Sequence, residues 1–209
     1  MPNHTANTLQ LTGDSKQITE FIKACIKTTK DEDTQLDFNG VVPMPEELIT
    51  TTSPTSIMTE KEIKKQWDDF NKLPKDKQYG DKPFGLGLTK KQSNALIKKY
   101  GTNNWYDWAV KNWGTKWNAY DIGEWDGGFI SFHTAWSPPT EFIINASKKF
   151  PDVSFLNKFA DEGGGFVGYT EIKNGKLVSD VSLDWDKGEG KELRDELGYG
   201  DFEDEEDSE

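Results

Sequence analysis

Cysteine is almost missing: Cys25 is the single thiol in 209 residues, which excludes an internal disulfide framework and a cysteine-based zinc site. Arginine is equally scarce, Arg194 standing alone, and arginine is the side chain that forks onto phosphates and base edges. Cations are short altogether, with 25 Lys+Arg against 37 Asp+Glu for a net charge of −12. Coating duplex DNA needs surplus cations to release counterions, so the balance argues against that role. No apolar run approaches the ~20 residues of a membrane span, and no basic-then-apolar leader opens the chain. These absences lead us to expect a soluble, intracellular protein with no membrane partner. Hydrophobic residues make up only 33% and mean hydropathy is −0.80. Against that, 8 Trp, 12 Phe and 6 Tyr form an aromatic load that disordered chains do not carry. Part of the chain is therefore expected to be well packed and the rest strongly polar.

Period-two alternation from His4 to Leu11 predicts a strand, with Thr5, Asn7, Leu9 and Leu11 on one side. Asp14 or Ser15 then caps a helix whose Ile18, Phe21, Ile22, Cys25 and Ile26 form one stripe, placing Cys25 in packing rather than reactivity. Residues 28–39 read as a polar loop, and Phe38 to Pro45 as a short extended piece halted by prolines. Helical signals follow: one turn at Glu46 to Ile49; a helix capped by Thr59 with Ile63, Trp67 and Phe70 on one face; one from Thr89 to Tyr100 stopped by Gly101; and one from Trp105 to Trp113 opened by Asn103 or Asn104. The period then returns to two. Thr115 to Ile122 and Phe129 to Trp136 predict an antiparallel hairpin, and Ser137-Pro138-Pro139 opens a helix with Phe142, Ile143, Ala146 and Phe150 inward. Three strands, Val153 to Ala160, Phe166 to Ile172 and Leu177 to Trp185, and a short helix from Lys191 to Leu197 complete the pattern.

Without the helical excursion, the order is strand, helix, strand, strand, helix, strand and an added hairpin. This predicts an α+β, ferredoxin-like antiparallel sheet with helices on one face, a helical insertion after the first β-α unit and an added C-terminal hairpin. We expect a single domain over 1–198, the insertion at about 44–113, and a disordered acidic tail over 199–209 whose seven acids stand without a base.

Several blocks carry a resemblance. Met1-Pro2-Asn3-His4, the Val-Pro-Met-Pro core within Asn39 to Glu46, Trp105-Tyr106-Asp107-Trp108, Asn112 to Asp121 with its Trp-Gly-Thr-Lys-Trp-Asn run, Thr134 to Pro139, and Ala160-Asp161-Glu162-Gly163 recur together. Over roughly residues 1 to 185 the chain resembles the YubB-type family of ferredoxin-like proteins found on plasmids, phages and genomic islands. The resemblance implies a mobile-element protein with an α+β sandwich and transfers no active site.

Candidate binding residues concentrate in the aromatic block: Trp105, Trp108, Trp113, Lys116, Trp117, Asn118, Tyr120, Asp121 and Trp136. They form either a stacking platform for unpaired bases or a hinge packing the insertion's last helix against the sheet, and packing is the preferred account. Lys116, flanked by Trp113 and Trp117, is expected to make a cation–π contact. His4 and His133 on adjacent strands could combine with Asp121 or Asp161 into a metal or acid–base site, though structural roles fit them better. Asp161-Glu162 before three glycines is read as a reversal, and Ser137 as a cap. No catalytic residue, metal ligand or cofactor is assigned. With that resemblance, the function expected is a non-catalytic binding protein of a phage or plasmid, in the cytoplasm of a bacterial host, engaging a host or mobile-element protein of basic or nucleic-acid-binding character through an acidic surface, in one version as an inhibitor of a defence or restriction system. A single-stranded nucleic-acid module is the alternative, and a metal-dependent hydrolase built on Asp121, His133, Asp161 and Glu162 ranks third.

Overall fold

The computed structural model describes residues 3–28, 34–78, 83, 85–123 and 128–200. In chain order the elements are β1 (His4–Gly13), α1 (Ser15–Cys25), β2 (Ile26–Thr28), β3 (Thr34–Leu36), α2 (Glu46–Ile49), α3 (Glu60–Lys72), α4 (Lys90–Tyr100), α5 (Trp105–Trp113), β4 (Phe129–Ala135), α6 (Thr140–Lys149), β5 (Val153–Asp161), β6 (Val167–Lys173), β7 (Lys176–Ser182) and α7 (Gly188–Glu196). They fall into two compact units, residues 1–42 with 112–209, and residues 43–111.

The first unit is built on a five-stranded sheet of order β4-β1-β5-β6-β7, antiparallel throughout. β4 and β5 are joined by α6 and both run antiparallel to β1, which lies between them. This is the split β-α-β arrangement of a ferredoxin-like fold. The strand alternation decides which face is buried. Leu9, Ile130 and Phe155 are sealed beneath α1 and α6, where Phe21 of α1 meets Phe155 edge-on at 5.3 Å and Phe142 of α6 at 6.5 Å. Asp14 caps α1 by accepting from the Gln17 amide, and Cys25 is fully buried on the helix's inner stripe. Burial pushes the Cys25 thiol up to about 12, so it packs as a small apolar group and forms no thiolate at neutral pH.

Three expectations are corrected. The strand expected over Thr115 to Ile122 is reduced to one bridge, in which Tyr120 exchanges main-chain hydrogen bonds with His133 at 3.1 and 2.8 Å, with Gly123 donating to the Ser131 carbonyl next to it. Side-chain anchors replace the ladder. Thr115 donates to the Ala135 carbonyl at 2.9 Å, Asn118 turns toward Asp37 and Phe38, and Asp121 sits at φ 48, which breaks the extended run. Much of the expected turn after it, residues 124–127, lies outside the described residues. The supposed polar loop of 28–39 instead contains a two-stranded hairpin of β2 and β3, with Ile26 opposite Leu36, followed by a 3-10 turn over Phe38–Gly40. Leu36 and Phe38 explain this, since their fully buried side chains pull a charged stretch into register. The tail expected from 199 begins with residues that belong to the fold: Tyr199 packs beside α7, while 201–209 lie outside the described residues.

The second unit is helical. Thr59 and Thr89 each form a capping box, with Glu62 and Gln92 respectively, and Gly101 ends α4 in the left-handed region at φ 78. Asn104 opens α5 by accepting from the Asp107 amide at 2.8 Å. A parallel bridge between Ile57 and Leu88 aligns the chain just before α3 and α4. Ile63, Trp67 and Phe70 share one face of α3, yet the helix has no fully buried residue.

Candidate functional site on the open face of the sheet

Ala6, Thr8 and Gln10 of β1, Phe129, Ser131 and His133 of β4, and Leu156, Lys158 and Ala160 of β5 point away from α1 and α6, as the register dictates. α7 covers part of this second face. Its Leu193 packs on Ala160 and Val167, with Leu183, Trp185, Leu197 and Tyr199 around them. Arg194 is buried in the same place, its guanidinium 5.5 Å from the Trp185 ring and paired with Asp195 at 3.3 Å. Between α7 and β4 the face stays open as a groove of about 340 Å³, floored by Thr8, Gln10, Ser131 and Leu156 and walled by Phe129, Lys158 and Glu196. A second hollow of about 270 Å³ lies under α7 itself, where Glu189, Glu192 and Glu196 face Leu156, Lys158 and Tyr169. Positions 189, 192 and 196 recur at helical spacing, so three carboxylates line one side. Lys158 reaches both Glu196 oxygens at 3.0 Å.

A titratable cluster caps one end of this face. His4, His133 and Tyr120 come from β1, β4 and the one-residue bridge, so three neighbouring strands' worth of backbone aligns them. The Tyr120 hydroxyl lies 2.7 Å from His4 Nδ1 and donates to the Thr134 carbonyl at 3.2 Å. Tyr120 stacks on His133, and the two imidazoles meet edge-on with centroids 6.0 Å apart. Glu162 stands 3.9 Å from His4 Nε2, Asp121 stands 3.9 Å from His133 Nδ1, and Tyr199 donates to the His4 carbonyl at 3.2 Å. Burial first, and then the Asp121 and Glu162 charges, push the Tyr120 phenol up to about 12, so it stays a hydrogen-bond donor at neutral pH. Burial also lowers the His133 imidazole, only partly offset by Asp121. A group charged less readily in the fold costs stability on acidification. That loss begins as pH falls through the unfolded histidine value of about 6.5 and is complete below the folded one. Thermal melts stepped from pH 8 to pH 5 should therefore fall, and His133→Phe should flatten that part of the profile; an unchanged slope in the variant assigns the fall elsewhere.

The aromatic block divides. Trp108 and Trp113 are buried, the latter donating its indole N–H to the Val42 carbonyl at 2.9 Å and meeting Phe38 edge-on at 5.8 Å. Trp105 is half-buried, with its main-chain amide donating to Thr51 Oγ1 and its ring against Tyr106. Trp117 and Trp136 are the exposed pair, at 36% and 44%. Lys116 lies between them, 4.5 Å from the Trp117 ring and 4.3 Å from that of Trp136. The cation–π contact therefore involves Trp136 where Trp113 was expected, because Trp113 is turned into the core. Asn118 is a joint: its Oδ1 accepts from the Phe38 amide at 2.9 Å, and its Nδ2 donates to Asp37 Oδ1 at 2.9 Å. Asp37 was missed in the sequence because it lay inside an apparent loop. Burial acts to raise its carboxyl, but hydrogen bonds from Lys27, Asn39 and Asn118 outweigh that and hold it at about 2.

Of the four residues considered for hydrolysis, Asp121, His133 and Glu162 join the cluster, while Asp161 is buried and accepts from the Gly165 amide at 3.1 Å, closing the glycine turn. Among the described residues no three His, Cys, Asp or Glu side chains are arranged to hold a metal ion, and no helix is long and apolar enough to cross a membrane.

Comparison with known proteins bears on the fold. No curated protein sequence matches the chain. A crystal structure of the protein Api92 from Yersinia pseudotuberculosis aligns with 90% of this chain and 99% of its own, at 11% identity and a TM-score of 0.39. Residues 112–205, which span β4 to α7 and the open face they frame, match the family described as the ferredoxin-like domain in Api92-like protein.

Proposed function

We propose that this is a non-catalytic binding protein that engages a basic partner protein through the acidic open face of its sheet. Charge segregation is the observation that carries the reading. Residues 1–42 with 112–200 hold 13 Lys+Arg against 21 Asp+Glu, a net −8 to which residues 201–209 add seven more acids, whereas residues 43–111 hold 12 against 9, a net +3. Glu189, Glu192 and Glu196 put part of that charge along a concave, partly apolar surface of the size a protruding lysine or arginine side chain fills. Complementary charge of this kind mainly speeds encounter and selects among partners. The resemblance of the sequence blocks to YubB-type proteins supports a phage or plasmid setting in a bacterial host. There, carboxylates presented where a nuclease expects phosphates would suit an inhibitor of a defence or restriction system.

A catalytic role has less support. Asp161, one of the four residues that reading needs, is already engaged in closing its turn. The single-stranded nucleic-acid reading rests on the exposure of Trp117 and Trp136, where Lys116 already occupies one face of each ring. Affinity capture from bacterial lysate tests the proposal. The wild-type chain should retain a basic protein in stoichiometric amount, released by salt, and the triple substitution E189Q/E192Q/E196Q should lose it. Equal recovery by both forms, or no partner for either, contradicts the reading.

A further inference from the structure

The helical unit has a second surface of opposite character. α3 and α4 start side by side from the Ile57–Leu88 bridge and enclose a groove of about 600 Å³ whose floor is Ile63, Trp67 and Ala95, with Glu60, Lys64 and Lys91 on its rim. This floor is the apolar stripe that α3 never buries: Ile63 and Trp67 are both only half-covered. A 13-residue helix without one fully buried side chain has lost most of the stabilisation that amphipathic packing supplies. The groove therefore has the composition of a surface that is covered when its occupant is present.

Charge identifies that occupant. α4 carries Lys90, Lys91, Lys98 and Lys99 and no acid. The groove rim itself carries Lys64 and Lys91 against Glu60, so its balance is positive, with Lys90 beginning α4 beside Thr89 of the lining. We propose that the α3–α4 groove is a docking site for an acidic amphipathic helix of a partner protein, its apolar residues seated on Ile63, Trp67 and Ala95 and its carboxylates facing Lys64 and Lys91. Helix-in-groove recognition uses this division of labour, with anchors at three- and four-residue spacing supplying contact area and flanking charge supplying register. The surface is distinct from the acidic sheet face and selects the opposite kind of partner.

The test uses the full chain and two fluorescein-labelled synthetic helices of about five turns, each with leucines along one face. One carries glutamates elsewhere and the other lysines. Fluorescence anisotropy should show saturable binding of the glutamate peptide, weakened by salt and lowered about tenfold or more by K64E/K91E, while E189Q/E192Q/E196Q leaves it unchanged. W67A should weaken it as well, and circular dichroism of each variant reports whether the fold is kept. Equal binding of both peptides, indifference to K64E/K91E, or loss of binding with the sheet-face variant overturns the proposal. Concentration-dependent dimerisation abolished by W67A overturns it too, by making a second copy of this chain the occupant.

Discussion

Phe38→Ala should destabilise the sheet-bearing unit by about 3–5 kcal/mol, the range for deleting a sealed aromatic ring. Phe38 is fully buried, stacks on Phe142 with centroids 4.2 Å apart, and meets Trp113 and Phe132 edge-on at 5.8 and 6.4 Å. It thus ties the 3-10 turn, the end of α5, β4 and α6 into one cluster. Truncation removes the ring's contacts and leaves a cavity among aromatic neighbours that relax poorly. Its main-chain amide is held separately by Asn118, so the turn itself has a second anchor. Urea titration measures the effect. A loss below about 1 kcal/mol means that the ring is not the keystone its contacts suggest.

Asn7→Ala is expected to cost about 2–3 kcal/mol for the opposite reason, because it strands polar groups instead of opening a void. Asn7 lies in the middle of β1, on the face under the helices, and is almost completely buried. Its Nδ2 donates to the Thr5 carbonyl and to Thr134 Oγ1 at 2.8 and 2.9 Å, and its Oδ1 accepts from Asn157 Nδ2 at 3.1 Å. The neighbourhood is already short of partners: Thr5 Oγ1, Asn157 Oδ1 and Thr170 Oγ1 are buried with no hydrogen-bond partner among the described residues. Removing the Asn7 side chain adds further unpaired groups in the same low-dielectric patch. The double replacement Asn7→Leu with Asn157→Leu removes both members of the pair and should cost less than Asn7→Ala alone. If the double variant is the weaker of the two, the polar patch is not the source of the penalty.

These two residues also show how far the sequence could be read. The alternation of β1 placed Thr5, Asn7, Leu9 and Leu11 together, and all four are buried on one face. α6 and the Thr59 and Thr89 helix caps were equally legible, because each depends on neighbours a few positions apart. Phe38 was not legible, since its role depends on α6 and β4, about a hundred residues away, and its immediate surroundings are polar. The histidine cluster illustrates the same limit. His4 and His133 were suspected of approaching each other, but their union with Tyr120 depends on a single bridge and on the register that sets Ala6 opposite His133. The short helix near the C-terminus was visible as α7, yet nothing in its own residues said which face of the sheet it would cover. That placement makes Glu189, Glu192 and Glu196 a surface rather than a scattered charge run.

The most direct measurement is an amide NMR map of the isotopically labelled full chain, titrated with a lysine-rich peptide and then separately with a single-stranded oligonucleotide. If the acidic sheet face is the partner surface, the peptide should shift Leu156, Lys158, Tyr169, Glu189, Glu192 and Glu196 together, and the oligonucleotide should leave them still. Peptide shifts confined to residues 201–209, or an oligonucleotide response at Trp117, Lys116 and Trp136, would contradict it.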